Sequence, residues 1–242
     1  MSGNDREAYL LAHSELSRAH EGDGKASLCR PFLRVVPVTG AAVSTIGSGR
    51  LGTSTICATD PKAIVIDELQ IDLGEGPCWQ ALRTGAPVLS PSFALTEHPA
   101  WPVFAKALRE YEIGALFAFP LTLGGLDVGS IDLYSHEPLT LSETEVSDVV
   151  SLTEIAAWQV LRRVLADDSV NIADVDSDPS PGFSRKQVHQ ATGMIIAQLE
   201  VSSTDALLLL RAHAFASGRS VREVAHDVVS RRLDFTHDRA QP

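Results

Sequence analysis

A chain of 242 residues, 44% of them hydrophobic, is long enough for one large domain or two small ones. Its net charge of −11 argues against indiscriminate binding to nucleic acid, and no apolar run approaches the ~20 residues of a membrane span. The N-terminus, MSGNDREAYL, lacks the apolar stretch of a signal peptide, so the expected location is the cytoplasm, with no membrane partner.

Arg6 to His20 reads as a helix, with Leu10, Leu11 and Ala19 among its apolar positions, and EGDGK after it as a turn. Leu28 to Val36 is apolar but interrupted by Arg30, Pro31 and Arg34, which leaves its type open. Gly40 to Ala58 is short, β-branched and broken by a GSGR turn, the pattern of a β-hairpin. Val65 to Leu73 mixes helix and loop signals. Trp79 to Arg83 predicts a short helix, Ala86 to Leu89 a strand, and Trp101 to Tyr111 a helix with Phe104, Ala105, Leu108 and Tyr111 at helical intervals. Ala115 to Leu123 and Val128 to Tyr134 predict two strands around the tight-turn pair Gly124-Gly125. Ser142 and Glu145 then form a capping box at the head of a long helix reaching Ala166. Its apolar face is wide enough to cover a sheet and also meet a partner helix.

Residues 167–182 are acidic and proline-containing with little periodicity, and read as a linker after a domain spanning 1–166. Residues 183–234 predict three short helices, each with its own start signal: Ser184 with Gln187, Ser202 with Asp205, and Ser220 with Glu223. Gly218 stands where a helix ends in a left-handed residue. Val188, Ala191, Ile195 and Leu199 form one apolar stripe. Ala206, Leu209, Leu210, His213 and Ala214 form the second, and Val221, Val224, Ala225 and Val228 the third. Residues 235–242 are a tail. From Ser184 to Leu233 seven cationic side chains face four anionic ones, a net +3 that leaves −14 for the rest. A basic module on an acidic body is the asymmetry of a sensor joined to a nucleic-acid reader.

Gly193 lies inside a predicted helix, where glycine costs roughly 1 kcal/mol relative to alanine. It shares a helical face with Lys186 and His189, flanked by Arg185 and Thr192. Basic neighbours around a bare backbone fit close approach by a phosphate backbone.

The runs QATGMIIAQL, DALLLLRAHA and SVREVA resemble the ANTAR domain. Ala191, Thr192 and Gly193 stand where that family usually carries Ala-Lys-Gly. Asp205 and Ala206, Leu210 and Arg211, and Val224 and Ala225 match the later pairs. The resemblance implies binding to paired hairpin loops in nascent RNA and prevention of transcription termination, with RNA polymerase engaged indirectly. The RNA-binding candidates are Arg185, Lys186, His189, Gln190, Thr192, Gly193, Arg219 and Arg222, the last two at the head of the third helix, where free N–H groups favour phosphates. LQIDLGEGPCWQAL, the strands FAFPL and GSIDLY and the long helix resemble the GAF sensor family, and Gly74-Glu75-Gly76-Pro77-Cys78 matches the subset that precedes ANTAR domains. The implied fold is α+β: an antiparallel sheet with flanking helices, then a three-helix module.

Cys29, Cys57 and Cys78 are too few and scattered for a disulfide framework or a zinc site, so Cys29 and Cys57 read as unpaired thiols. Cys78 is first a packed thiol, second a redox or ligand sensor, and last a nucleophile. Catalysis would need a base that only the fold could supply, such as His98 or His136. The eight histidines show no metal spacing, and Gly124-Gly125 lacks the Lys and Ser/Thr of a phosphate loop. No catalytic residue, metal or cofactor is expected. The leading expectation is a non-enzymatic, homodimeric antiterminator that answers a small molecule or redox cue. The alternative is a DNA-binding regulator whose last helices act as a helix-turn-helix.

Overall fold

A computed structural model describes residues 3–19, 27–46, 51–170 and 186–236. The chain divides into two compact units at Phe183/Ser184. In the first, helices α1 (Gly3–Arg18) and α2 (Phe32–Val35) lead into strands β1 (Gly40–Ile46) and β2 (Thr53–Ala58). Helices α3 (Pro61–Leu73) and α4 (Pro77–Thr84), strand β3 (Val88–Ser90) and helix α5 (Pro102–Leu108) follow. A second hairpin, β4 (Ala115–Leu123) and β5 (Leu126–Ser135), precedes the long helix α6 (Glu143–Val170). The strands form one sheet in the order β2-β1-β5-β4-β3, with every neighbouring pair antiparallel.

Local signals account for most of these elements. Asp60 caps α3 by accepting from the N–H groups of Lys62 and Ala63, and Pro61 sits at the first turn, where its missing N–H costs nothing. This settles the open stretch from Val65 to Leu73 as helix. Ser142 and Glu145 satisfy each other's backbone N–H groups at 2.7 and 3.2 Å, opening α6. That helix continues to Val170, four residues past the sequence-derived end.

Strand alternation sorts the sheet into two different faces. Ala41, Val43, Phe117, Phe119, Ile131 and Leu133 face α1, α2 and α6, in a core of apolar side chains. Val149, Leu152, Ala156, Ala157 and Val160 of α6 are fully buried there. The amide of Gln159 ties α6 to α1 by donating to the carbonyl of Leu16 at 3.0 Å. Away from this core, α6 exposes Val150, Trp158 and Leu165, with Trp158 55% exposed. The opposite sheet face carries Ala42, Tyr134, Leu116 and Ala118 among apolar clusters, together with Ser44, Ser130 and Asp132, and is covered by α3, α4 and α5.

One expectation is overturned. Cys29 and Cys57 are not separate thiols but a disulfide, with their Cα atoms 6.2 Å apart across 28 residues of sequence. The lead-in to α2 packs beside β2, and this proximity exists only in the fold. Cys78 is the free cysteine.

The second unit contains α7 (Lys186–Leu199), α8 (Ser203–Ser217) and α9 (Val221–Val229). Val188, Ala191, Ile195, Ala206, Leu210, Ala214, Val221, Val224, Ala225 and Val228 form its core. Phe235, placed in the tail from sequence, packs into the same core. Ser220 and Glu223 make a complete capping box, and Gly218 closes α8 with φ 65°. Ser202 caps α8 by accepting from the Asp205 N–H, while its hydroxyl donates to the Asp205 carboxylate at 2.6 Å. Ser184 and the GSGR and EGDGK turns lie outside the described residues, as does most of the linker. Leu209 is 37% exposed rather than part of the core stripe, and Leu208 and Phe215 are exposed beside it on α8.

Candidate functional site

Two loci carry the chemistry, one in each unit. In the first unit it is a polar layer between the sheet and helices α3 and α4. The Gly74–Cys78 run explains how the layer is built. Gly74 ends α3 in the left-handed region, with φ 67°. Gly76 has φ 139°, and a Cβ there would stand 2.6 Å from the Gln70 side chain, so only glycine lets the turn close over Gln70. Pro77 opens α4 behind it. Glu75 accepts from the Phe104 N–H at 2.6 Å, and the Trp79 indole donates to the Gln70 carbonyl at 2.7 Å. These contacts pin the turn from both sides.

Gln70, thus held, is fully buried and bridges two groups. Its amide nitrogen donates to Asp132 Oδ2 at 2.8 Å, and its amide oxygen accepts from the Cys78 N–H at 2.8 Å. Asp67, one turn earlier on α3, accepts from the Thr55 hydroxyl. Ser130 donates to the Phe119 carbonyl at 3.2 Å. Two buried polar atoms of the sheet, Asp132 Oδ1 and Ser44 Oγ, have no hydrogen-bond partner. Burial, and then the nearby charge of Asp67, hold the Asp132 carboxyl well above the usual carboxylate range, against the Gln70 hydrogen bond. Burial, and then Asp132 and Asp67, push the Cys78 thiol up in the same way. A thiol so placed stays protonated and is a poor nucleophile.

His98 and His136 do not reach Cys78 as bases. His98 is stacked between Phe93 and Trp101, at 4.6 and 4.2 Å, and His136 lies edge-on to Tyr134. An open cleft of roughly 800 Å³ lies on the α5 side, lined in part by Phe93, His98, Lys106, Arg109 and His136, and shares no residue with the polar layer. Among the described residues no group of three His, Cys, Asp or Glu side chains is placed to hold a metal ion, and no single helix is long and apolar enough to cross a membrane.

In the second unit the sequence-derived residues fall on two surfaces. His189, Gln190 and Gly193 are exposed on one face of α7, with Ala191 buried beneath. Nothing stands within 4 Å of a Cβ placed on Gly193, so no contact among the described residues calls for glycine there. Thr192 is half-buried and donates its hydroxyl to the Val188 carbonyl at 2.7 Å, which turns it inward along the helix. Arg185 and the Lys186 side chain lie outside the described residues.

Arg219 and Arg222 line a separate groove of about 420 Å³, shared with Gln187, His226, Asp227 and Arg232. Gln187 meets His226 at 3.4 Å, joining α7 to α9. Asp227 accepts from Arg219 at 2.6 Å and lies 2.7 Å from Arg232, one carboxylate fixing two guanidinium groups. Those two hydrogen bonds depress the Asp227 pKa. The sequence analysis missed Gln187, His226 and Arg232 as neighbours of Arg219. The i, i+4 spacing of Glu223 and Asp227 on α9 was the one available hint that an acid would organise the arginines.

Family models match a stretch in each unit. The GAF domain model matches residues 27–161, more than half the chain, and the ANTAR domain model matches residues 184–229. No curated protein matches the sequence significantly. Among solved structures, the GAF domain of an Acinetobacter phosphoenolpyruvate-protein phosphotransferase aligns with TM-score 0.52 at 14% identity, covering 73% of this chain and all of that one. The corresponding domain from Coxiella burnetii aligns with TM-score 0.53 at 14% identity, covering 69% and 98%. At that identity the likeness speaks for the fold. The chain belongs to the GAF family, with a domain of the small-molecule-sensing kind over residues 27–161 joined to an RNA-binding ANTAR domain over residues 184–229.

Proposed function

We propose that this protein is a signal-responsive transcription antiterminator that acts in the cytoplasm without catalysing a reaction. The observation that carries this reading is the pairing, in one chain, of a GAF domain with an ANTAR domain. The N-terminal domain senses a small molecule, and the polar layer around Asp67, Gln70, Cys78 and Asp132 is its candidate site. The C-terminal domain binds paired hairpin loops through the α7 face and the arginine groove. RNA loops display unstacked bases that arginine can stack on or hydrogen-bond.

Two loops call for two modules, which a homodimer supplies. The exposed Val150, Trp158 and Leu165 on α6 support a partner helix there. Signal binding then shifts a population of dimers toward the arrangement that presents both modules.

One experiment tests the reading. Filter binding of the full chain to a two-hairpin RNA, a single hairpin and duplex DNA is run with light scattering on the bound species. Preference for the two-hairpin RNA by a dimer is expected. Preference for duplex DNA would favour instead the helix-turn-helix reading of α8 and α9, and a monomeric complex would remove α6 as the pairing element.

A further inference from the structure

The polar layer of the N-terminal domain has a chemistry of its own. Asp132 and Ser44 are diagonal neighbours on one sheet face, because Ala42 pairs with Asp132 and Ser44 with Ser130. Both are buried, and each leaves one oxygen without a hydrogen-bond partner. Asp67, also fully buried, faces the same layer from α3 and bears on Asp132 through its charge. A buried polar oxygen without a partner is costly, and two neighbouring carboxylates cannot both ionise there unless something positive joins them. Among the described residues no cationic side chain bears on Asp132, whose balance is set by burial, Asp67 and Gln70.

We infer that the molecule sensed by this domain presents a compact primary ammonium group to Asp132, Asp67 and Ser44. This rests on reading the domain as a sensor. An ammonium has three N–H donors; the layer leaves Asp132 Oδ1 and Ser44 Oγ open to it, and Asp67, whose carboxylate accepts from the Thr55 hydroxyl, adds its charge beside them. A calcium ion wants six to eight oxygens and a magnesium ion a near-ideal octahedron, and no three-ligand metal cluster exists among the described residues. Gln70 then links the site to α4, because the same amide holds Asp132 on one side and the Cys78 N–H on the other.

Binding carries a proton signature. Burial favours the protonated form of Asp132, whereas the ammonium requires its carboxylate, so a proton leaves as the ligand arrives. Affinity therefore rises with pH until the raised Asp132 pKa is passed. The other groups facing Asp132 are Asp67 on α3, the protonated Cys78 thiol on α4, the Gln70 amide, and the hydroxyls of Ser44, Thr55 and Ser130 on the strands.

The test uses the full chain with methylammonium, ethanolamine and 1,4-diaminobutane as probes. Ethylene glycol, 1,4-butanediol, tetramethylammonium, potassium and calcium serve as controls at matched ionic strength. Thermal unfolding and calorimetry in two buffers of different ionisation enthalpy are read together. A saturable rise in Tm with a primary amine is expected, tighter at higher pH and accompanied by proton release. Asp132→Asn should bind at least about tenfold more weakly and release no proton. Ser44→Ala, a smaller change, should weaken binding in the same direction, which keeps the test valid should Asp132→Asn fold poorly. Equal shifts with potassium or tetramethylammonium, amine binding unaltered in both variants, or no shift with any amine would each overturn the inference. Binding of a neutral diol that changes RNA affinity would overturn it while leaving the sensor reading in place. Saturable amine binding that leaves RNA affinity unchanged would strike at the sensor reading instead.

Discussion

Replacing Gly193 with alanine separates packing from recognition. The residue lies in the interior of α7, is exposed, and has no atom within 4 Å of where its Cβ would stand. Its φ is not positive, so the helix accepts an L side chain there without strain. Alanine restores the helix propensity that glycine forgoes, and with no clash to offset it the gain is about 1 kcal/mol. In a small domain that corresponds to a Tm rise of at least about 4 °C for the module's transition. On the RNA side the sign reverses. The added methyl occupies the face shared with His189 and Gln190, where the proposed RNA backbone approaches. Circular dichroism through thermal and urea unfolding reads the first effect, and filter binding to a two-hairpin RNA reads the second. Higher stability with weaker binding is the expected pair. Lower stability would mean that the exposed face of α7 is covered in the folded protein, and unchanged affinity over a range of salt would remove that face from the RNA surface.

Three further outcomes are expected. Arg232→Ala should weaken RNA binding and reduce the slope of log affinity against log salt by roughly 0.7 to 0.9, one phosphate contact's worth of released counterions, as measured by filter binding at several salt concentrations. Cys78 should resist iodoacetamide in the folded protein at neutral pH and react completely in denaturant, because burial and the two aspartates keep its thiol protonated; mass spectrometry reads the difference, and native labelling would refute it. Denatured but unreduced protein should take up one alkyl group rather than three, and replacing both Cys29 and Cys57 with serine should lower unfolding stability by about 3 to 4 kcal/mol, the loop-closure value for a 28-residue separation.

Much of this protein was legible in the sequence because its signals are local. Ser142 with Glu145 and Ser220 with Glu223 open helices wherever they occur, because the bonds span only three residues. Gly218 ends α8 for a reason confined to its own φ. The Gly74–Cys78 run and the QATGMIIAQL stretch carried the family resemblances. What the sequence left undecided is non-local. In the run from Leu207 to Leu210 apolar residues surround the helix, so periodicity could not choose between Leu209 and Leu210, and packing against α7 and α9 buried only Leu210. Cys29 and Cys57 paired because the lead-in to α2 lies beside β2, a proximity without trace in a 28-residue separation. Gln70 and Asp132 lie in stretches that resemble the GAF family, but nothing in the sequence tied them to each other or to Asp67: two sit on a helix and the third on a strand more than 60 residues later. Only closing α3 over the sheet brings two carboxylates into one dry layer, where burial and mutual charge change what each of them is.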